Sequence, residues 1–235
     1  MPFAKRLFDT KVLPMANAAD VKQSLLASFA NAEKHEQPYP HYIVRDCVPG
    51  DMIEPLQTIP FPAPELGGVS GTREVHNKSR SYFDAESCKE FPVASALAEA
   101  LQDGEVVAAI EKTFGTDLDG TFLRIEYAQD TDGFWLEPHT DIGVKNFTML
   151  MYLSDGEGHE KLGTSIYADK ETHVGESPFA PNLAMIFVPS DKTWHGFEQR
   201  PISGVRKSII INYVTQDWRA REQLAYPEQT VSPAA

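Results

Sequence analysis

The chemistry in this chain concentrates in the segment LEPHTDIGV, where one residue separates His139 from Asp141. Residues two apart on an extended strand project from the same face, so an imidazole and a carboxylate at this spacing can converge on one metal ion. With seven histidines and 34 acidic residues in the chain, one such pair alone reads equally well as a strand-end histidine beside an acid. A third candidate changes that balance. His195, in DKTWHGFEQ, follows a tight turn at SDK and the apolar, strand-like NLAMIFVP. Antiparallel sandwiches bring strands remote in sequence side by side, which lets His195 close a set of two histidines and one carboxylate. Three ligands on one face suit Fe(II) and leave open positions where a substrate and oxygen can coordinate together. Zinc, held by three protein ligands and a water, is the competing metal. The H-E-x-x-H signature of zinc proteases is absent.

Arg206 and Ser208 stand two apart in GVRKSIIINYV and share a face with Ile210, while Lys207, Ile209 and Ile211 share the other. An arginine flanked by so apolar a strand is costly to bury without an acidic partner. Its planar fork matches a carboxylate, and the neighbouring hydroxyl adds a hydrogen bond. Two readings follow: an ordinary ion pair with one of the chain's acids, or, the better one, a clamp on the distal carboxylate of a diacid cosubstrate.

These side chains need rigid elements to hold them. From Gly120 onward, TFLRIEYAQ, NFTMLMYLS, GTSIYAD, NLAMIFVPS, TWHGFEQ and RKSIIINYV are short and rich in β-branched and aromatic residues, with turn signals such as TDG, SDGEG and ISG between them. About eight strands without intervening helices predict an antiparallel sandwich or barrel. Upstream, Val21, Leu25, Leu26 and Phe29 recur at helical spacing over Ala18–Ala32, with Asp20 as the expected cap. Tyr42–Val48 alternates like a strand, and PGDMIEPLQ suits a helix start. Ile59–Gly71, dense in proline and glycine, predicts a loop. Val93, Leu97, Leu101, Val106, Ile110 and Phe114 predict two helices separated at Asp103-Gly104. One domain is expected, with a helix-rich supporting portion over 1–119, a β-core over 120–218 and a frayed tail over 219–235.

Composition bounds the partners. The chain has 235 residues, 42% of them hydrophobic, and a net charge of −13. It is long enough for one sizeable core, and a polyanionic partner would be repelled by its mean field, so neither nucleic acid nor an anionic membrane is expected. Cys47 and Cys88 stand far apart and in no C-x-x-C, which supports neither a disulfide framework nor a structural zinc site. Without a signal-like or spanning apolar run, a cytoplasmic protein is expected. His159 and His173 lie in polar segments and read as solvated loop histidines, and His41 and His76 have no partner pattern.

H-x-D at 139–141, His195, and R-x-S at 206–208 together resemble the Fe(II)/2-oxoglutarate-dependent oxygenase superfamily, in its prolyl-4-hydroxylase-like branch. APNLAMIFVPSDKTWHGFEQRPISGVRKSIIINYV is similar to that family's closing strands. The resemblance implies a mainly β fold with N-terminal helices, its core a double-stranded β-helix of jelly-roll, cupin-like form. It implies Fe(II) held by His139, Asp141 and His195, with 2-oxoglutarate and O2 as cosubstrates. Arg206 and Ser208 would hold the far carboxylate, helped by Tyr127 on an early core strand. The implied activity is a dioxygenase that hydroxylates its substrate with release of succinate and CO2, and the acidic composition, with no obvious peptide-docking segment, points to a small molecule. A protein or peptide side chain is the alternative substrate, and a cupin-like enzyme or a sensor without 2-oxoglutarate the alternative class. Arg124, Trp135, Glu137 and Lys145, with Arg80, are candidates to line the substrate mouth. Oligomeric state is not legible.

Overall fold

The computed structural model describes residues 17–63, 71, 80–141 and 143–234. Residues 64–70 of the expected proline- and glycine-rich loop, and His76, lie outside them. The first helix, α1 (Ala18–Ala30), is capped by Asn17, whose side chain accepts from the N–H groups of Ala19 and Asp20, while the Asp20 carboxylate accepts the N–H of Asn17. Asp20 thus sits inside the helix as the second half of a capping box, three residues after the cap it was expected to be. The strands β1 (Glu33–His35) and β2 (His41–Arg45) follow, then the short α2 (Ile53–Gln57) behind a single 3-10 turn. After β3 (Ser81–Tyr82) come α3 (Ala85–Glu90), α4 (Pro92–Gln102) and α5 (Gly104–Phe114). Asp103 ends α4 and caps α5, its carboxylate accepting the Glu105 N–H, which is why the chain breaks where the sequence predicts. Gly115, at φ 75°, ends α5 in the left-handed region.

Eight strands complete the chain: β4 (Phe122–Thr131), β5 (Leu136–His139), β6 (Lys145–Tyr152), β7 (Ser165–Tyr167), β8 (His173–Glu176), β9 (Leu183–Phe187), β10 (His195–Phe197) and β11 (Val205–Val214). They build two antiparallel sheets, one ordered β1-β2-β9-β6-β11-β4-β3 and one ordered β5-β10-β7-β8. This is the jelly-roll, or double-stranded β-helix, arrangement. The first three strands join the larger sheet, so the β-core crosses the division expected at residue 119.

Alternation sorts the strands into two apolar layers. On β11, Ile209, Ile211 and Tyr213 pack against the helices with Leu25, Phe29, Leu97 and Ile110. Ile210 faces the smaller sheet with Leu150, Tyr152, Met185, Phe187 and Phe197. Fully burying one such side chain contributes about 1.5–3 kcal/mol, so the period-two pattern locks the register of β11. No helix among the described residues is long and apolar enough to cross a membrane.

The C-terminal tail is docked, against the expectation of fraying. Val231 is buried, its N–H donates to Thr121 O and its carbonyl accepts from Gly120, while the Ala234 N–H reaches Gly104 O. The apolar Val231 within a polar stretch is what seats it. Truncation after Gln229 is expected to cost about 2 kcal/mol. At about 2–4 °C per kcal/mol for a chain of this size, thermal unfolding should start about 4–8 °C lower. An unchanged melting curve would mean that the tail contributes nothing.

Candidate metal centre

His139 and His195 meet because the strands that carry them pair. β5 and β10 are antiparallel neighbours with His195 directly opposite His139. Their ring centroids are 4.4 Å apart. Gly196 permits this approach: a Cβ there would lie 2.7 Å from Leu136 O and 3.1 Å from Glu137 O. Asp141 lies just beyond the end of β5, before β6, rather than on a continuous strand with His139. Its side chain nevertheless turns to the same point, and the ligand atoms of His139, Asp141 and His195 all lie within 4.8 Å of one another.

The hydrogen bonds around the triad set its chemistry. His139 Nδ1 lies 2.9 Å from Glu137 O and His195 Nδ1 lies 2.9 Å from Thr193 O. A carbonyl only accepts, so each Nδ1 carries the proton and each neutral ring presents the Nε2 lone pair. Asp141 Oδ1 accepts from Lys145 Nζ at 2.6 Å, and Oδ2 from Thr148 Oγ1 at 2.7 Å. Burial opposes ionisation of Asp141, but Lys145, His195 and these hydrogen bonds outweigh it and hold the carboxyl well below the usual range. Burial, reinforced by His139 and opposed by Asp141, pushes His195 down to about 4. Two neutral imidazoles and an ionised carboxylate fit a divalent cation of the facial type.

Behind Asp141 runs a chain of buried polar groups. Asn212 Nδ2 donates to Thr148 Oγ1 at 2.9 Å, Arg124 Nη1 to Asn212 Oδ1 at 3.0 Å, and Arg124 Nη2 to Glu126 Oε2 at 2.9 Å. Arg80 pairs with the same Glu126. Arg124 also reaches Gln223 and lies between the rings of Tyr82 and Trp218. It is a buried structural arginine and not, as expected, a residue of the substrate mouth. Arg80 and Glu126 do line the cavity that holds the triad.

Arg206 and Ser208 line that cavity too, on the face that Ile210 shares. Arg206 stands opposite Asp130 across the β11–β4 pair and donates to it at 2.5 Å, and its Nε donates to Leu162 O at 2.8 Å. Its guanidinium lies 4.8 Å from the Phe197 ring centre and 5.4 Å from that of Phe179. The ion-pair reading of this arginine therefore holds, and the same guanidinium lines the cavity that holds the triad.

Tyr127 does not. Its odd position on β4 turns it to the helical side, where it is buried and donates to Leu56 O at 2.8 Å. The tyrosine of this cavity is Tyr152, opposite Ser208 on β6, with its hydroxyl bonded to Thr164 and Ser177. Strand parity carries the signal for it, since Tyr152 falls on the Thr148 and Leu150 face of its segment. Asp130, Thr148 and Asn212 were missed because their importance lies in cross-strand partners. Trp135 packs its ring on Gly71, and Glu137 gives its backbone carbonyl to His139; neither lines the cavity. Lys145 lines it, but its ammonium is bonded to Asp141 and so is not a free mouth residue.

Of the other histidines, His159 is buried rather than solvated, bridging Ser154 Oγ and Ser203 O. His41 is buried and stacks on His35. His173, at the edge of the smaller sheet, lies with Glu176 and Glu198, and Arg200 Nη1 stands 3.5 Å from Glu176.

No family model matches the sequence, and no curated protein matches it. Solved structures do. A prolyl 4-hydroxylase from Phytophthora capsici matches with a TM-score of 0.58 at 13% identity, over 89% of this chain and 68% of its own. A prolyl hydroxylase from Trichoplax adhaerens, in complex with a hypoxia inducible factor peptide fragment, matches at 0.56 and 12% identity, over 86% of this chain and 93% of its own. The chain has the prolyl-4-hydroxylase-type double-stranded β-helix fold.

The metal-free protein has a defined acid response. His195 is depressed in the folded state, so the unfolded state binds more protons below its ordinary value of 6.5. Its contribution to stability is therefore lost as pH falls from about 6.5 towards 4, by up to about 3 kcal/mol. Asp141 adds its own loss only below its ordinary 3.8. Urea titrations at pH 7 and pH 5 should show this decline, and His195→Asn should flatten it. An equal decline in the variant would assign it to other groups.

Proposed function

We propose that this protein is an Fe(II)- and 2-oxoglutarate-dependent oxygenase that hydroxylates a small molecule, with release of succinate and CO2. One observation carries the reading: His139, Asp141 and His195 converge in the same cavity whose wall holds Arg206. Bound there, Fe(II) would supply oxygen activation and the oxidising power for the C–H bond.

The remaining work falls to the chain's own groups. The two Nε2 atoms and one Asp141 oxygen would hold the metal, their rings oriented by Glu137 O and Thr193 O. Arg206 and Ser208 would take the distal carboxylate of the cosubstrate. Two of the five guanidinium N–H groups are committed to Asp130 and Leu162 O, which fixes the plane of the fork, and three remain. The Phe197 and Phe179 rings keep water off its faces. A charge-assisted hydrogen bond contributes about 1.5–3 kcal/mol, roughly ten- to a hundredfold in affinity. Tyr152 takes the part first expected of Tyr127.

For the substrate, the ionic Arg80–Glu126 pair in the cavity wall favours a polar small molecule. A peptide side chain is the second reading, because the Trichoplax prolyl hydroxylase of the same fold is seen with a peptide.

Anaerobic addition of Fe(II) and 2-oxoglutarate should produce a visible charge-transfer band. Its absence, with zinc retained instead, would overturn the reading. Conversion of 2-oxoglutarate to succinate should vanish in His139→Ala and Asp141→Ala. In Arg206→Ala the 2-oxoglutarate KM should rise about ten- to a hundredfold. An unchanged KM would take Arg206 out of the cosubstrate site, and a parent that neither binds nor consumes 2-oxoglutarate would point to a cupin-like enzyme that uses no keto acid. Succinate release stimulated by a metabolite library, set beside proline-containing peptides, separates the two substrate classes.

A further inference from the structure

We propose that Lys145 is a positioning residue that sets the charge of the metal centre, weakening the hold on the metal while strengthening the hold on the anionic cosubstrate. The inference rests on the oxygenase reading above. Lys145 opens β6 and its Nζ lies 2.6 Å from Asp141 Oδ1, with the two side chains only 16% and 5% exposed. It lines the same cavity as the triad and Arg206. Exposed ion pairs of this sequence spacing do little, because water screens them. Here the pair is largely withdrawn from water and one partner is a candidate metal ligand.

Both carboxylate oxygens already have donors, Lys145 on one and Thr148 on the other. A divalent cation on Asp141 therefore shares that carboxylate with an ammonium and is repelled by it at short range. At 4 Å and an effective dielectric of about 20, two unit charges still interact strongly, so the repulsion is not negligible. The second effect has the opposite sign. Two neutral histidines, one carboxylate and a divalent cation carry about +1; Lys145 raises the sum to about +2. A dianionic keto acid is attracted more strongly to that centre than to the triad alone. On the inner side of the site the acids are already matched, Asp130 by Arg206 and Glu126 by Arg80 and Arg124, while Asp117 and Asp191 line a separate outer pocket beside Lys145. A residue with a purely structural role would move both affinities in the same direction, or neither.

The full chain should be titrated with Mn(II), followed by the loss of the free-ion electron paramagnetic resonance signal, and the Mn(II)-loaded protein then with 2-oxoglutarate. Lys145→Met should bind Mn(II) at least about tenfold more tightly and 2-oxoglutarate at least about tenfold more weakly than the parent. Lys145→Arg, which keeps the charge, should restore both constants to within about threefold of the parent. Melting curves without metal report folding, and Lys145→Gln runs in parallel so that one poorly folded variant does not decide the outcome. Unchanged or weaker Mn(II) binding in Met and Gln variants that remain folded overturns the role of Lys145 while leaving the metal site in place. A parent that binds no Mn(II), or a His139→Ala variant that binds it equally well, overturns the oxygenase reading and this inference with it.

Discussion

The antiparallel pairing of β5 with β10 is the constraint on which the site depends. Two strands of four and three residues set His139 opposite His195, and a slip of one residue would turn one imidazole to the other face. Backbone carbonyls two residues before each histidine then fix both rings in one tautomer. The close approach depends on Gly196, and the neighbouring β7 holds the far edge of β10. Asp141 needs only to fold back from the end of β5 to complete the set. The His139, Asp141 and His195 triad is thus built from backbone geometry first and side-chain chemistry second.

The larger sheet supplies the rest by alternation. β4 and β11 pair over ten residues, and their two faces do different things. One face buries Ile125, Tyr127, Ile209 and Ile211 against the helices. The other carries Arg124, Glu126, Asp130, Arg206, Ser208 and Asn212, an unusual density of buried polar groups. These groups are tolerable because nearly all are visibly paired, Arg206 with Asp130 and Arg124 with Glu126 and Asn212. The helices back one face so that the other can hold charge.

Much of this was legible in the chain. Most of the late strands, the break at Asp103-Gly104, and the grouping of Arg206 with Ser208 and Ile210 follow from period and turn chemistry, whereas β8 lies in a polar segment that reads as a loop. Parity also had the means to exclude Tyr127, which alternates away from Arg124 and Glu126 on its own strand. What the sequence could not show was partnership across strands. Whether Arg206 meets Asp130, or Lys145 meets Asp141, depends on register and on how a loop folds back. The docking of Val231 was hidden in the same way, because its neighbours are polar and its receptor, Thr121, lies far upstream. Arg124 misled for a physical reason: an arginine on an apolar strand signals a buried anionic partner but not whether that partner is protein or ligand.

The run of polar groups behind Asp141, through Thr148, Asn212, Arg124 and Glu126 to Arg80, can be rewritten only as a unit. Each member satisfies its neighbour, so replacing one strands a buried donor or acceptor on the next. Diverging descendants of this chain would have to exchange these residues in concert, or keep them all. The block therefore limits mutational drift in the very strands that surround the triad, while the exposed outer edge of the smaller sheet is left to vary.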